Sequence, residues 1–258
     1  MRNLVIAAAL TLGLVTLPAT ADAGERFQVG VKPSSTTLVL GKKLTFTGHV
    51  RPGAAAAGHT VELQEKYGPK KPWRTKDTDR VGTSGAYHLA YKPTTATVRE
   101  YRVIMPAVGH HARGVSRQLT VGVYDWGRLT ELPYVNYRGI YPTPRIHING
   151  TKYPASLLAR TGAATSVEYN LNHRCTALRA TYGLSDSSET GAQATVGVES
   201  DGTQVYTGAF GLGQSEAASI ALDQPLKIRF TAQSTITGTS GYGAVGTPEV
   251  LCTAPFGG

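Results

Sequence analysis

The chain is poor in the residues that build redox, metal and nucleotide sites. Two cysteines in 258 residues exclude a disulfide-dense mini-scaffold and a four-cysteine zinc site, and neither has a C-x-x-C partner or a histidine at zinc-ligand spacing. Nothing reads as G-x-S-x-G, H-E-x-x-H or a P-loop, which removes the usual hydrolase, zinc-protease and nucleotide-binding signatures. Acidic residues are scarce, 17 against 26 lysines and arginines. A glycosidase needs two carboxylates facing each other across a sugar, whereas here Asp201 precedes Gly202, Asp186 and Glu189 sit in a serine-rich loop, and Asp223 precedes Gln224-Pro225, all turn-like settings. His110-His111 is the only adjacent histidine pair and reads as exposed loop. No catalytic residue, no cofactor and no metal site are therefore expected.

Long apolar runs are also missing, apart from one at the start. Met1-Arg2-Asn3 is followed by the 14 residues Leu4–Leu17, nearly all apolar, and by two A-x-A sites ending at Ala21 and Ala23. This reads as a secretory signal peptide over residues 1–23, short of the roughly 20 residues that span a bilayer. The mature chain is expected outside the cell without a transmembrane segment. In an exported chain two cysteines are best paired, so Cys175 and Cys252 are expected to form a disulfide that clips the last strand to an early one.

What is abundant is short alternating strands. Ala194, Val196 and Val198 alternate before Asp201-Gly202 and Val205 resumes the pattern after it, as in two half-buried strands joined by a tight hairpin. Both central residues of such a turn take positive φ, which glycine accepts freely and Asp or Asn tolerates, and Asn149-Gly150 is read in the same way.

Four pieces in order carry a family resemblance: Ile146–Tyr153, Val167–Leu171, Gly183–Ser188 and Val198–Tyr206. With them, residues 124–258 resemble the NPCBM-type carbohydrate-binding module, the β-sandwich appended to glycosyl hydrolase family 98 and related secreted proteins. The chain departs from the family in two places. Ser156–Ala163 lacks a His-Ala pair, and Val245-Gly246-Thr247-Pro248 stands where the family places a Trp before Gly-Asp. The resemblance implies a sugar site, which needs aromatic faces for the C–H side of a pyranose and fixed polar groups for its hydroxyls. Trp126 and Tyr242 are the expected platforms, with Arg145, Arg160 and Asp186 as polar partners, among further rings at Tyr134, Tyr137, Tyr141, Tyr153 and Tyr182.

Residues 24–123 show their own rhythm of six or seven short strands, broken at Gly41-Lys42, Pro52-Gly53, Gly68-Pro69, Thr83-Ser84-Gly85, Lys92-Pro93 and Gly109. Val31–Ser34, Gly41–Gly48, His59–Gln64 and Gly85-Ala86-Tyr87 resemble bacterial immunoglobulin-like domains, which implies a spacer or adhesion module. This half holds 16 basic residues against 6 acidic ones, while residues 124–258 hold 9 against 10. Lys66, Lys70, Lys71, Arg74, Lys76 and Arg80 gather around one hairpin, an expected surface for an anionic cell-envelope polymer or simply a solvated face. Tyr67 and Trp73 lie among these charges, yet no nucleic-acid motif is present and the compartment argues against such a partner.

The expected protein is all-β: two consecutive antiparallel β-sandwiches after a signal peptide, immunoglobulin-like and then jelly-roll-like. Its expected role is non-catalytic binding of a glycan or envelope polymer. The alternative is a structural or adhesion protein whose second domain is a scaffold without sugar binding.

Overall fold

The computed structural model describes residues 24–68, 70–160 and 164–253. The leader expected over residues 1–23 lies outside the described residues. The described chain is almost entirely β-structure, and no described helix is long and apolar enough to cross a membrane.

The first sandwich is built from β1 (Gln28–Val29), β2 (Lys32–Pro33), β3 (Thr37–Val39), β4 (Leu44–Arg51), β5 (Thr60–Lys66), β6 (Arg74–Arg80), β7 (Ala86–Tyr91), β8 (Thr97–Met105), β9 (Gly114–Val115) and β10 (Leu119–Arg128), with one helical turn, α1 (Gly53–Ala56). One sheet places β1 and β2 along one side of β4 and β7 along the other. The other runs β3-β10-β8-β5-β6, with β9 also beside β8. Alternation dictates the core: Leu44, Phe46 and Val50 of β4 are buried while Thr47 and Arg51 face water, and Val61 and Leu63 of β5 meet them from the opposite sheet. The open side between β6 and β7 is closed by carboxylates. Asp77 accepts the amide of Ala90 at 2.7 Å and Asp79 that of His88 at 2.7 Å, so edge amides of β7 are satisfied by side chains.

One polar cluster is buried in this sandwich. Glu65 accepts hydrogen bonds from Arg99 Nη1 at 2.6 Å and Tyr101 Oη at 2.9 Å, with Glu65 and Arg99 only 1 % and 3 % exposed. Lys76 reaches the same carboxylate, its Nζ 3.1 Å from Oε2 as an ion pair outside hydrogen-bond geometry. A bulge makes this contact, because Leu63 pairs with Asp77 and Gln64 with Thr75, which leaves Lys76 as the extra residue. Burial disfavours the Lys76 charge, but the adjoining Glu65 carboxylate outweighs it and raises the amine above its ordinary range.

The second sandwich adds β11 (Tyr134–Arg138), β12 (Ile140–Ile148), β13 (Thr151–Ala159), β14 (Thr165–Asn170), β15 (Cys175–Leu184), β16 (Gln193–Ser200), β17 (Thr203–Gly211), β18 (Ser215–Ala221), β19 (Lys227–Ser234) and β20 (Gly243–Cys252). One sheet runs β11-β14-β19-β16-β17. The facing sheet has β20 at its centre, with β15 and then β18 on one side and β13 followed by β12 on the other. Leu178, Tyr182, Val196, Val198, Tyr169 and Phe230 fill the space between them. Both expected hairpins are present: Asn149 and Gly150 have φ of 49° and 72°, Asp201 and Gly202 have 47° and 84°.

The two sandwiches share a strand. Leu119–Val123 of β10 pair with β8 and Gly122–Tyr124 with β3, while Asp125–Arg128 pair with β20. The boundary expected between residues 123 and 124 thus falls inside an uninterrupted strand, and sheets from the two halves merge into one of eleven strands. The expected disulfide is present, joining the directly paired Cys175 and Cys252. His111 differs from the exposed position expected of it. It is buried, with its ring 5.0 Å from that of Phe27, because residues 112 and 26 bridge in parallel and draw the chain onto the core; His110 stays exposed.

Candidate functional site

The second sandwich carries a groove of about 390 Å³ on its outer surface, formed where β13 leaves β20. The two strands pair only at Leu157 with Val245 and Leu158 with Ala244. Beyond that point both are irregular. Ala155 and Thr247 adopt left-handed φ of 47° and 43°, a conformation that costs a non-glycine residue about 1–3 kcal/mol. The register against β15 steps from Arg179–Glu249 to Thr181–Gly246, so β20 holds one extra residue at Thr247-Pro248.

Hydrogen bonds hold this irregularity in place. The buried Ser156 Oγ accepts the Thr247 amide at 3.2 Å, and Thr247 Oγ1 donates to the Pro154 carbonyl at 2.8 Å. The Tyr153 ring lies directly on Gly246, where an added Cβ would come within 2.6 Å of its Cγ. Glycine is needed there for close approach rather than for φ. The groove floor is small, with Ala217, Ala218 and Ser219 from β18.

Across from Tyr153 stands a fixed polar pair. Arg179 Nε donates to Glu249 Oε2 at 2.7 Å, and the guanidinium lies 4.1 Å from the Trp126 ring centroid. Stacked and paired, the guanidinium keeps a defined orientation while its side chain stays 48 % exposed. An aromatic wall, a fixed donor and acceptor and a small floor can hold a ring with one apolar face and a rim of hydroxyls.

The expected site residues are distributed over several places. Trp126 and Tyr242 lie at opposite ends of β20, since Trp126 pairs with Leu251 and Tyr242 immediately precedes Gly243. Trp126 reaches the groove only through Arg179, which covers its face. Tyr242 is half-buried and its backbone binds Ser185 and Ser188, at 2.9 and 3.0 Å. Arg145 and Asp186 do come together, with His147 and Ser185, in a polar hollow of about 380 Å³. Asp186 is partly committed there, accepting the Gly150 amide at 2.9 Å and so pinning the β12–β13 turn. Arg160 lies apart, over Tyr141 at 5.9 Å. Among the described residues no group of three or more His, Cys, Asp or Glu is placed to hold a metal ion.

The basic hairpin is β5–β6, and its charges do not share one face. Lys76 points inward to Glu65, whereas Lys66 points outward, paired with Glu100 at 2.6 Å and over the Trp73 ring at 5.1 Å. Lys70, Lys71, Arg74 and Arg80 remain exposed. A larger concavity, about 790 Å³, opens at the step from β1 to β2. Its rings are the exposed His49 imidazole and Tyr87, and Tyr87 is turned inward with its hydroxyl on the Gly30 carbonyl.

Residues 124–234, most of the second sandwich, match the family model described as NPCBM/NEW2 domain. No curated protein matches the chain. Similar solved structures include the CBM51 from Clostridium perfringens GH95 in complex with methyl-galactose, at 16 % identity over 48 % of this chain and 99 % of that one, TM-score 0.40. Two structures of Clostridium perfringens ZmpB also match at 8 % identity. One holds its CBM51-2 and INT domains (61 % of this chain, 38 % of that one, TM-score 0.42), and the other shows CBM51-2 in complex with GlcNAc and INT domains (86 % and 48 %, TM-score 0.43). The chain spans less than half the length of either ZmpB structure.

Proposed function

We propose that this is a secreted, non-catalytic glycan-binding protein whose second sandwich holds sugar in the groove between Tyr153 and Arg179. The observation that carries the reading is an aromatic wall facing a fixed Arg–Glu pair, within a domain that matches NPCBM/NEW2. The Tyr153 ring takes the C–H face of a pyranose, Arg179 donates to its hydroxyls and Glu249 accepts from them. Because Trp126 and Glu249 already immobilise Arg179, little side-chain freedom is lost on binding. Secretion rests on the leader sequence. The first sandwich, read as an immunoglobulin-like spacer, offers Lys70, Lys71, Arg74 and Arg80 to an anionic cell-envelope polymer.

The test is a glycan array followed by calorimetric titration of residues 24–258, produced under oxidising conditions, with methyl-galactoside and GlcNAc among the first probes. Selective, saturable binding that Arg179→Ala weakens about 10- to 100-fold, the loss of one charged hydrogen bond, is the expected result. A second reading, a structural or adhesion protein, is favoured by the covered face of Trp126 and the strand shared between sandwiches. Folded, disulfide-bonded protein that binds no sugar would leave that reading in place.

A further inference from the structure

The edge strand β11 is exposed at all five of its residues, Tyr134-Val135-Asn136-Tyr137-Arg138. Tyr134, Val135 and Tyr137 are 51 %, 52 % and 43 % exposed, the densest run of exposed large apolar side chains in the described chain. Residues three apart on a regular strand face opposite sides. Here the pairing with β14 runs Tyr134 to Tyr169, Asn136 to Glu168 and Tyr137 to Val167, so β11 contains one extra residue at Val135. That bulge turns Tyr134 and Tyr137 to the same side, with ring centroids 5.9 Å apart and planes inclined by 41°.

A second feature marks the place. Tyr169, opposite Tyr134, is fully buried and its hydroxyl has no hydrogen-bond partner. Burial, and then the neighbouring Tyr134 phenol, push its ionisation up. Asn136 Oδ1 accepts the Tyr137 amide at 2.9 Å, and Asn136, opposite Glu168, lies on the other face of the strand from the two rings. The unpaired side of β11 adds backbone donors and acceptors.

A protein partner does not fit this strip. Stable protein interfaces draw on roughly 20–30 residues a side, and a bulge in an edge strand interrupts the ladder that strand addition needs. A saccharide fits, since its C–H faces stack on the two rings and its hydroxyls serve both donors and acceptors. We infer that Tyr134 and Tyr137 form a second saccharide platform, which takes an extended oligosaccharide rather than a single sugar. The inference rests on the glycan-binding reading above, but the platform belongs to the other sheet and shares no residue with the Tyr153–Arg179 groove.

Residues 24–258 are titrated with chitotetraose, cellotetraose and β-1,4-galactotetraose and with the matching monosaccharides. The variants are Tyr134→Ala/Tyr137→Ala, Tyr134→Phe/Tyr137→Phe and Arg179→Ala, each checked by its thermal midpoint. The alanine pair is expected to lower affinity for at least one tetraose by about tenfold or more, with the phenylalanine pair near wild type and monosaccharide binding unchanged. In Arg179→Ala the pattern reverses: monosaccharide binding falls and tetraose binding partly survives. Tyr137→Ala alone, which removes one ring, replaces the pair if the double variant fails to fold. Unchanged tetraose affinity without the rings, while Arg179→Ala abolishes all binding, leaves one site and overturns the platform alone. A wild-type protein that binds no saccharide overturns both readings together.

Discussion

Asp125 and Cys252 stand opposite each other across β10 and β20. The residue at which the shared strand enters the second sandwich is therefore paired with a half-cystine, whose disulfide partner Cys175 sits on the far side of β20. The junction of the two sandwiches is a three-strand contact pinned by a covalent bond.

A chain joined in this way should unfold as one unit. Scanning calorimetry of residues 24–258 is expected to give one transition whose calorimetric and van't Hoff enthalpies agree. Two resolved transitions, one for each sandwich, would contradict the structural role assigned to β10.

Replacing both cysteines by alanine releases a crosslink between residues 77 apart. Closing a loop of that size is worth about 4–5 kcal/mol on the chain-entropy model. Urea denaturation should show a loss of this order. Because Arg179 and Glu249 lie only a few residues from the bond on the same two strands, sugar affinity should fall as well.

The buried carboxylate of Glu65 is the shared counter-charge of buried Arg99 and partly exposed Lys76. Glu65→Ala leaves both cations without their counter-charge and is expected to cost about 3–5 kcal/mol, while Glu65→Leu with Arg99→Leu should recover much of that loss. Chemical denaturation of the single and double variants compares the two outcomes.

Alkali should unfold the protein cooperatively. Burial pushes up the phenols of Tyr87, Tyr101, Tyr169, Tyr182 and Tyr206, and Lys76 is raised as well. A group whose folded value is raised stabilises fully below its unfolded value, near 10 for tyrosine, and loses that contribution as pH climbs through the folded value. Stability is thus expected to decline above about pH 10, and phenolate absorbance of the buried tyrosines should appear together with loss of near-ultraviolet circular dichroism. Smooth ionisation of all 13 tyrosines in still-folded protein would be the contrary result.

Gly246→Ala places a methyl group against the Tyr153 ring and must displace it. Sugar affinity is expected to drop about tenfold or more while the thermal midpoint moves little, because the ring lies at the surface. Equal affinity in this variant would remove Tyr153 from the site.

The sequence carried the strands and turns because they depend on local chemistry. Alternation placed β16 and β17, Asp201-Gly202 and Asn149-Gly150 set the hairpins, and two cysteines in a chain read as exported implied their bond. The groove depends instead on pairings between distant residues. Arg179 meets Glu249 across 70 positions, and Trp126 meets Arg179 through the register of three strands. The one local clue was Val245-Gly246-Thr247-Pro248, where the chain departs from the family it resembles and where the left-handed Thr247 now shapes the groove wall. Gly122–Asp125, without Pro or a Gly/Ser run, likewise had no local mark of what it is, since a strand shared by two sheets reads like any other strand.

Continuity of β10 also has a mechanical consequence. If one sandwich is tethered and the other holds an immobile polymer, tension between them runs along this strand. Its rungs to β8 and β3 on one side of the junction, and to β20 on the other, lie across the pull, so they are loaded together in shear rather than peeled one at a time. The chain is built less like two beads on a string than like a single strap, and under flow it would yield only when a whole row of bonds gives way at once.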